Sequence, residues 1–243
     1  MKYLMTFSYD GSKFFGYQKQ PDKTSVQEVI ESKLAQINSN NEVVISASGR
    51  TDAGVHAINQ KAHFTLDSEI EPSRLKHSLN EMLPPSIYIK DIKIVDDNFH
   101  ARFNVKEKIY QYKINVGEYN PIEAEYIYQY CKELDVNKMI EASKHLLGEH
   151  NFKSFTKPSS EEKSYIRKIY DIDIKKDKDI IFLTFKGNGF MRYMVRNLVG
   201  TLIEVGSGKI TSDDVARIIN AEDRRDAGIC APACGLYLYD VIY

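Results

Sequence analysis

The sequence contains no tryptophan and only three cysteines among 243 residues. Cys131, Cys230 and Cys234 are too few for a disulfide framework, and no pair of Cys or His partners accompanies Cys230 and Cys234 at the spacing of a zinc site. The six histidines are also scattered without ligand spacing. We therefore expect buried or incidental thiols and no metal site.

Long apolar runs and a strong net charge of either sign are missing as well. No stretch approaches the roughly 20 consecutive apolar residues of a transmembrane helix, and the first residues lack the features of a signal peptide. The formal net charge of -1 excludes a protein coated with positive charge, although a local basic cleft would still bind RNA. The remaining composition is that of an ordinary globular protein, which we expect in the cytoplasm.

Hydrophobic periodicity divides the chain into two halves with similar element order. In the first half, Tyr3, Met5, Phe7 and Tyr9 alternate as in a strand, and residues 25–28 form a capping box at the start of a helix. Further strands are predicted at 43–47, 61–66 and 87–95, with a second helix from 72 to 83. In the second half, strands are predicted at 109–116, 168–174, 180–186 and 236–242, and helices at 136–147, 190–205 and 211–220.

Each half therefore approximates β-α-β-β-α-β, the split βαβ arrangement. We predict an α+β fold in which two similar ferredoxin-like or RRM-like halves join antiparallel-rich sheets around a central cleft. Residues 1–104 form the first predicted domain and residues 105–243 the second. The least regular stretches, 117–133 and 157–164, are predicted as flexible loops.

Residues 48–57, with the sequence SGRTDAGVHA, carry the most chemical information. Two glycines flank an arginine, a threonine and Asp52 where a strand runs into a loop. Glycine permits positive φ and the close approach of a substrate. The simpler interpretation of the bare G-x-T-D-x-G pattern is a β-turn in which Asp52 bonds its own backbone, and for that pattern alone it is the stronger one.

The complete ten-residue segment resembles the active-site motif of the tRNA pseudouridine synthase A family. Further segments match that family in the right order along nearly the whole chain: residues 9–18, 25–28, 99–103, 108–112, 187–197 and 231–238. The chain departs from the family at Tyr193, where histidine or asparagine is common, at Asn151, where aspartate is usual, and at Cys234, where histidine is usual. None of these departures alters the aspartate loop or Arg196.

The resemblance implies a pseudouridine synthase fold and an isomerase acting on uridines 38, 39 and 40 of the tRNA anticodon stem-loop. In this reaction the bond between C1′ and N1 breaks, the base turns, and C1′ bonds to C5, so no cofactor or metal is needed. Asp52 is the predicted catalytic nucleophile. Stabilisation of an oxocarbenium ion and removal of the 2′ proton are alternative roles that the sequence leaves open. The family also implies a homodimer whose two chains share one RNA.

Three further site residues follow from the resemblance. Arg196 would pair with Asp52 as the second catalytic group, since a charge on an otherwise apolar helix needs a partner; the alternative is a surface arginine. Tyr110 would stack on the flipped uracil, with core packing beside Tyr112 as the alternative. Arg50 would fill the space that the base vacates, and a phosphate contact is an alternative of nearly equal weight.

Other functions remain open on the sequence. A carboxylate-dependent hydrolase would need a second catalytic acid and an activated water, and the loop supplies one acid only. A non-catalytic RNA-binding module would leave Asp52 unexplained, because an acid in an RNA-binding cleft repels phosphate. A relative that modifies a different RNA uridine is a third alternative. His56, within the motif, is expected to position the loop or to contact RNA.

Overall fold

The computed structural model describes residues 1–157 and 164–243. The chain forms two compact units, the first made of Met1–Lys106 with Tyr237–Tyr243 and the second of Glu107–Leu236. The predicted loop at 157–164 falls mainly on residues that lie outside this description. Among the described residues, no helix is both long enough and apolar enough to cross a membrane.

The first unit follows the predicted β-α-β-β-α-β order. Its elements are β1 (Lys2–Tyr9), α1 (Val26–Ile37), β2 (Ser46–Ala47), β3 (His56–Thr65), α2 (Pro72–Met82) and β4 (Ile87–Ile94). Strand β1 lies between β3 and β4 and is antiparallel to both, and β2 pairs with the other edge of β3. The order of elements in this half is therefore confirmed.

The core of the first unit follows the apolar pattern of β1 and α1. Tyr3, Met5 and Phe7 are completely buried, as the alternation predicts. Helix α1 starts where expected, since the Ser25 side chain accepts a hydrogen bond from the backbone N–H of Glu28 at 3.3 Å. This bond satisfies one of the N–H groups that the first turn of a helix leaves without a partner.

The closing strand, Leu236–Ile242, contributes its last residues to the first unit. Tyr237 and Leu238 pair in parallel with His56 and Ala57 at the start of β3. Because of this pairing and that of Tyr9 with Ala57, β3 begins five positions before the predicted strand at 61. The predicted strand at 43–47 was too long, since only Ser46–Ala47 pairs with a neighbour.

The second unit contains β5 (Glu107–Asn115), β6 (Tyr128–Gln129), α3 (Val136–Ser143), β7 (Gly148–Asn151), β8 (Ile166–Asp177), β9 (Ile180–Gly187), α4 (Met194–Gly206) and α5 (Ser212–Ala221). Strands β5, β9, β8 and β7 form an antiparallel sheet in that order, and the short β6 runs parallel to β5. Helix α4 is almost entirely buried and contacts α3. Both units thus confirm the α+β class with mostly antiparallel strands.

Two helix boundaries in this unit differ from the prediction. Helix α4 begins at Met194 instead of 190, because Tyr193 has φ 62° and ψ -2°, in the left-handed region that a right-handed helix excludes. Helix α3 ends at Ser143, and a single 3-10 turn at Lys144–Leu146 follows it. The stretch predicted as a loop at 117–133 is irregular apart from Tyr128–Gln129, which forms β6.

Candidate active site

Asp52 lies in the loop that connects β2 to β3 in the first unit, and it is partly exposed. The backbone N–H of Val55 donates to the carbonyl oxygen of Asp52 at 3.1 Å, and Gly54 has φ 79°. The segment therefore contains the tight turn that the glycines predict. The hydrogen bond that closes this turn uses the backbone carbonyl of Asp52 and not its carboxylate.

Gln60 fixes the N-terminal side of this loop. Its side chain is completely buried, its Oε1 accepts from Ser48 Oγ at 2.7 Å and from the Lys61 N–H at 3.1 Å, and its Nε2 donates to the Gly49 carbonyl at 3.0 Å. These bonds connect the strand after the loop to the residues before it. An amide that is buried and fully engaged in this way holds its neighbours in one arrangement, since each broken bond would leave a buried polar group unsatisfied.

Tyr9 and Tyr17 fix the residue directly before Asp52. The hydroxyl of Tyr9 lies 2.7 Å from Thr51 Oγ1, and the backbone N–H of Tyr17 donates to the Thr51 carbonyl at 3.1 Å. Burial raises the pKa of Tyr9 to about 12, an effect that its hydrogen bonds to Thr51 and Gln60 only partly oppose. Tyr9 is therefore a neutral hydroxyl at physiological pH. We call the set Tyr9, Ser48, Thr51 and Gln60 the loop network.

Two glycines outside the motif make room for the loop. Gly16 has φ 93°, and a Cβ there would lie 3.1 Å from the Thr51 carbonyl oxygen and 3.2 Å from the Ala53 nitrogen. A Cβ on Gly11 would lie 2.0 Å from the Val55 carbonyl oxygen. A side chain at Gly11 would therefore collide with the loop backbone, and one at Gly16 would be strained by the positive φ and crowded by the same backbone.

His56, the first residue of β3, is buried and joins the loop to two other segments. Its Nδ1 accepts a hydrogen bond from the Gly11 N–H at 3.1 Å, and its ring stacks on Tyr237 with centroids 4.7 Å apart. The same nitrogen lies 3.4 Å from Asp10 Oδ1. These surroundings favour positioning of the loop over RNA contact, because only 2% of the residue is exposed.

Arg50 lies in the same loop as Asp52 and is exposed. A long cation at the surface, two residues from the carboxylate, suits both roles that the sequence leaves open for it, a phosphate contact and occupation of a vacated base position.

Tyr110 lies on β5 in the second unit, opposite Phe185 of β9. Its ring meets Phe190 edge to face at 5.3 Å, and 8% of the residue is exposed. Tyr112, on the same face, is fully buried and donates from its hydroxyl to the Pro232 carbonyl at 2.7 Å. Tyr110 is thus a well-packed ring with a small exposed part, while Tyr112 belongs to the core.

Arg196 lies in the first turn of α4, the one charged residue between Met194 and Ile203 in that helix. Its Nε donates to the Ala231 carbonyl at 2.6 Å, and the Ala231 N–H donates back to the Arg196 carbonyl at 3.1 Å. Its guanidinium carbon lies 5.4 Å from the centroid of the Tyr193 ring. The side chain is partly exposed, so this is a held guanidinium at the start of a buried helix and not a free surface arginine.

The structure thus places Arg50 and Asp52 together in one loop of the first unit, and Tyr110 and Arg196 in the second unit. Sequence reasoning did not single out Gln60 or Tyr9 for this site. One signal for Gln60 was available: it shares strand parity with Ala62, Phe64 and Leu66, so a polar residue occupies a position that the alternation assigns to the core.

Comparison with known proteins connects this chain to one family. A family model described as tRNA pseudouridine synthase matches residues 5–104 and 142–243. Relatives described as tRNA pseudouridine synthase A include one from Lactobacillus helveticus, 41% identical, covering 100% of this chain and 94% of the relative. A Geobacillus relative is 42% identical, with 98% and 96% covered. One from Bacillus subtilis is 40% identical, with 100% and 99% covered.

Proposed function

This chain belongs to the tRNA pseudouridine synthase family, and we propose that it isomerises uridine to pseudouridine at positions 38, 39 and 40 of the tRNA anticodon stem-loop. Its relatives, described as tRNA pseudouridine synthase A, share 40%, 41% and 42% identity with it over at least 98% of its length. The observation that points to Asp52 as the catalytic residue is the buried loop network, which fixes the backbone beside Asp52.

The reaction breaks the bond between C1′ and N1 of uridine and forms a bond between C1′ and C5. The proton on C5 leaves to solvent and N1 gains a proton, so atoms and electrons balance without an oxidant or cofactor. The sugar carbon develops positive charge when the base departs, and a carboxylate beside it stabilises that charge or attacks the carbon directly.

Asp52 is the carboxylate that we propose for this step, acting as nucleophile. The loop network supports this role, because a reacting group must be held close to its productive position and supported by neighbours that do not themselves react. Gln60 and Tyr9 bond to Ser48, Gly49 and Thr51, so they hold the residues directly before Asp52.

Arg196, Tyr110 and Arg50 complete the proposal. Arg196 supplies the second catalytic group, a guanidinium. Its hydrogen bond to the Ala231 carbonyl, which holds the side chain in place, supports this role. Tyr110 offers its ring to the uracil, supported by its position on β5 and by the edge-to-face contact with Phe190 that fixes the ring. Arg50 contacts the RNA near the extruded base, supported by its exposure beside Asp52. We further propose that the protein acts as a cytoplasmic homodimer on the anticodon stem-loop.

A tritium-release assay tests the central claim. Unmodified tRNA labelled with tritium at uridine C5 is incubated with the wild type, with Asp52→Asn and with Asp91→Asn, a matched removal of an exposed carboxylate on β4. We expect release from the wild type and Asp91→Asn and loss of at least about 10³-fold in rate for Asp52→Asn, because the amide is neither nucleophile nor base. Release by Asp52→Asn at the wild-type rate would exclude the catalytic role of Asp52, and no release from the wild type would favour a non-catalytic RNA-binding module.

The modified positions are tested separately by mapping pseudouridine along the product tRNA. Substrates with cytidine at positions 38, 39 and 40 should release no tritium. Release from such substrates would assign the activity to a different uridine, and the family membership would stand unchanged.

A further inference from the structure

Phe15 carries an exposed aromatic ring in the segment that supports the Asp52 loop. The residue is 55% exposed, whereas its chain neighbour Phe14 is buried. Its backbone is fixed on both sides, because its N–H donates to the Thr24 carbonyl at 3.0 Å and its carbonyl accepts from Gln20 Nε2 at 2.8 Å. A large apolar side chain is therefore accessible to solvent on a backbone that the fold holds in place.

The ring is attached close to the backbone of Asp52. Gly16, the next residue, packs against the loop, and a Cβ there would lie 3.1 Å from the Thr51 carbonyl oxygen and 3.4 Å from the Asp52 carbonyl carbon. Adjacent Cα atoms are about 3.8 Å apart, so the Cα of Phe15 lies within roughly 9 Å of the Asp52 backbone. Stacked nucleotides rise about 3.4 Å each along a strand. A base on the ring would thus be a few nucleotides from a uridine at Asp52.

The surroundings of the ring are basic, although the whole chain has a net charge of -1. Residues 13–23 contain three lysines and one aspartate, and all four are exposed. The ammonium of Lys23 lies 5.4 Å from the centroid of the Phe15 ring. Single-stranded RNA is bound by this combination, since bases stack on exposed rings and cations attract the phosphates. The positive charges favour a polyanion over a second protein as the partner.

We propose that the Phe15 ring is a stacking platform for an unpaired base of the RNA substrate, a few nucleotides from the uridine that reacts at Asp52. The surrounding lysines attract the phosphates of the same strand. The identity of this RNA, an anticodon stem-loop, rests on the proposed function, whereas the exposed ring and its place beside the loop are properties of the chain alone. Stacking tolerates every base type, so Phe15 anchors substrates of different sequence.

Two substitutions test the ring, and a third is a matched control. Phe15→Leu keeps apolar bulk but removes the π-face, and Phe15→Trp keeps an aromatic ring. Because the position is exposed, both variants should unfold within about 2 °C of the wild type. The control is Tyr170→Leu on β8 of the second unit, where the ring is 45% exposed and lies 6.0 Å from Lys168 Nζ. Asp171 follows that ring directly.

The affinity of each variant for an anticodon stem-loop RNA is measured by fluorescence anisotropy. Phe15→Leu should bind about fivefold to thirtyfold more weakly, while Phe15→Trp and Tyr170→Leu stay within about twofold of the wild type. The same RNA is then made with a single abasic site at each loop position in turn. At one position the abasic site should weaken binding by the wild type but not by Phe15→Leu, because both changes remove the same contact.

Equal weakening of the wild type and Phe15→Leu at every abasic position would overturn the proposal, as would an equal loss of affinity in Tyr170→Leu. A changed oligomeric state of Phe15→Leu in sedimentation, without coupling to any base, would also overturn it, by assigning the ring to an interface between copies of the chain.

The tritium-release assay separates failure of this inference from failure of the proposed function. If the wild type released tritium but showed no coupling between Phe15 and a base, this inference alone would fail. If coupling were present and the wild type released no tritium, the proposed function would fail and the stacking platform would stand. A wild type that did not bind the stem-loop at all would overturn both.

Discussion

Replacing Tyr9 with phenylalanine removes a single oxygen atom from the loop network. That oxygen lies 2.7 Å from Thr51 Oγ1, the hydroxyl of the residue directly before Asp52. A buried hydrogen bond of this kind contributes about 1 kcal/mol net to the free energy of unfolding. For a chain of this length a change of that size lowers Tm by about 3 °C. The apolar packing of the ring, which meets Tyr17 at 6.5 Å, is unchanged.

The effect on catalysis follows from the same bond. We expect the hydrogen bond between Tyr9 and Thr51 to keep Asp52 in place during the reaction. Losing its contribution of about 1 kcal/mol would then raise the activation free energy by that amount and slow the chemical step about fivefold. The KM for tRNA should stay within about twofold, because the oxygen is buried and does not contact RNA in this arrangement. Single-turnover tritium release gives the rate, and steady-state kinetics give kcat and KM.

Tyr3 provides a matched control on the same strand. It is also completely buried, and its hydroxyl donates to the Ile70 carbonyl at 2.9 Å and accepts from the Ile70 N–H at 2.8 Å. Tyr3→Phe should therefore destabilise the protein at least as much as Tyr9→Phe, yet leave kcat within about twofold of the wild type. Equal loss of kcat in both variants would refute the loop network as a positioning device, and so would an unchanged rate in Tyr9→Phe.

Two further predictions concern stability. The pKa of Tyr9 is higher in the folded protein, about 12, than in the unfolded chain, about 10. The stabilisation of the folded protein by protonated Tyr9 is therefore complete below pH ~10 and is lost as the pH rises towards 12. Tyr9→Phe should reduce this alkaline loss in urea titrations by up to about 2–3 kcal/mol, and identical alkaline curves for both proteins would contradict the assignment. Gly11→Ala places a Cβ 2.0 Å from the Val55 carbonyl oxygen and should lower the free energy of unfolding by about 3 kcal/mol or more. Gly189→Ala is the control, because a Cβ there has its nearest contacts 4.0 Å away on the Arg167 side chain, and its stability should remain near wild type. Equal denaturation midpoints for the two variants would show that the loop backbone moves aside without loss of stability.

The motif that contains Asp52 was recognisable from sequence because its information is local and contiguous. Residue types alone carry the pattern of residues 48–57, and the order of further motifs along the chain identifies the family. Strand alternation and helix periodicity are local in the same sense, so β1, α1, α2 and the hairpin of β8 and β9 lie near their predicted positions.

The boundaries that were wrong depend on partners far away in the chain. Strand β3 begins at His56 because Tyr9 and Tyr237 supply pairing there, and no pattern within residues 56–60 indicates either of them. Helix α4 begins late because Tyr193 takes a left-handed conformation, which single-residue preferences assign to glycine or asparagine and not to tyrosine.

The sequence by itself determined the family, through the resemblance of its motifs, and the α+β class, through spacing and periodicity. Only the tertiary structure decided which neighbours hold the site residues. The contact of Tyr9 with Thr51 joins positions 42 residues apart, and that of Arg196 with Ala231 joins positions 35 residues apart. Such hydrogen bonds exist only once strand register and helix packing bring distant segments within about 3 Å, a condition that no local pattern encodes.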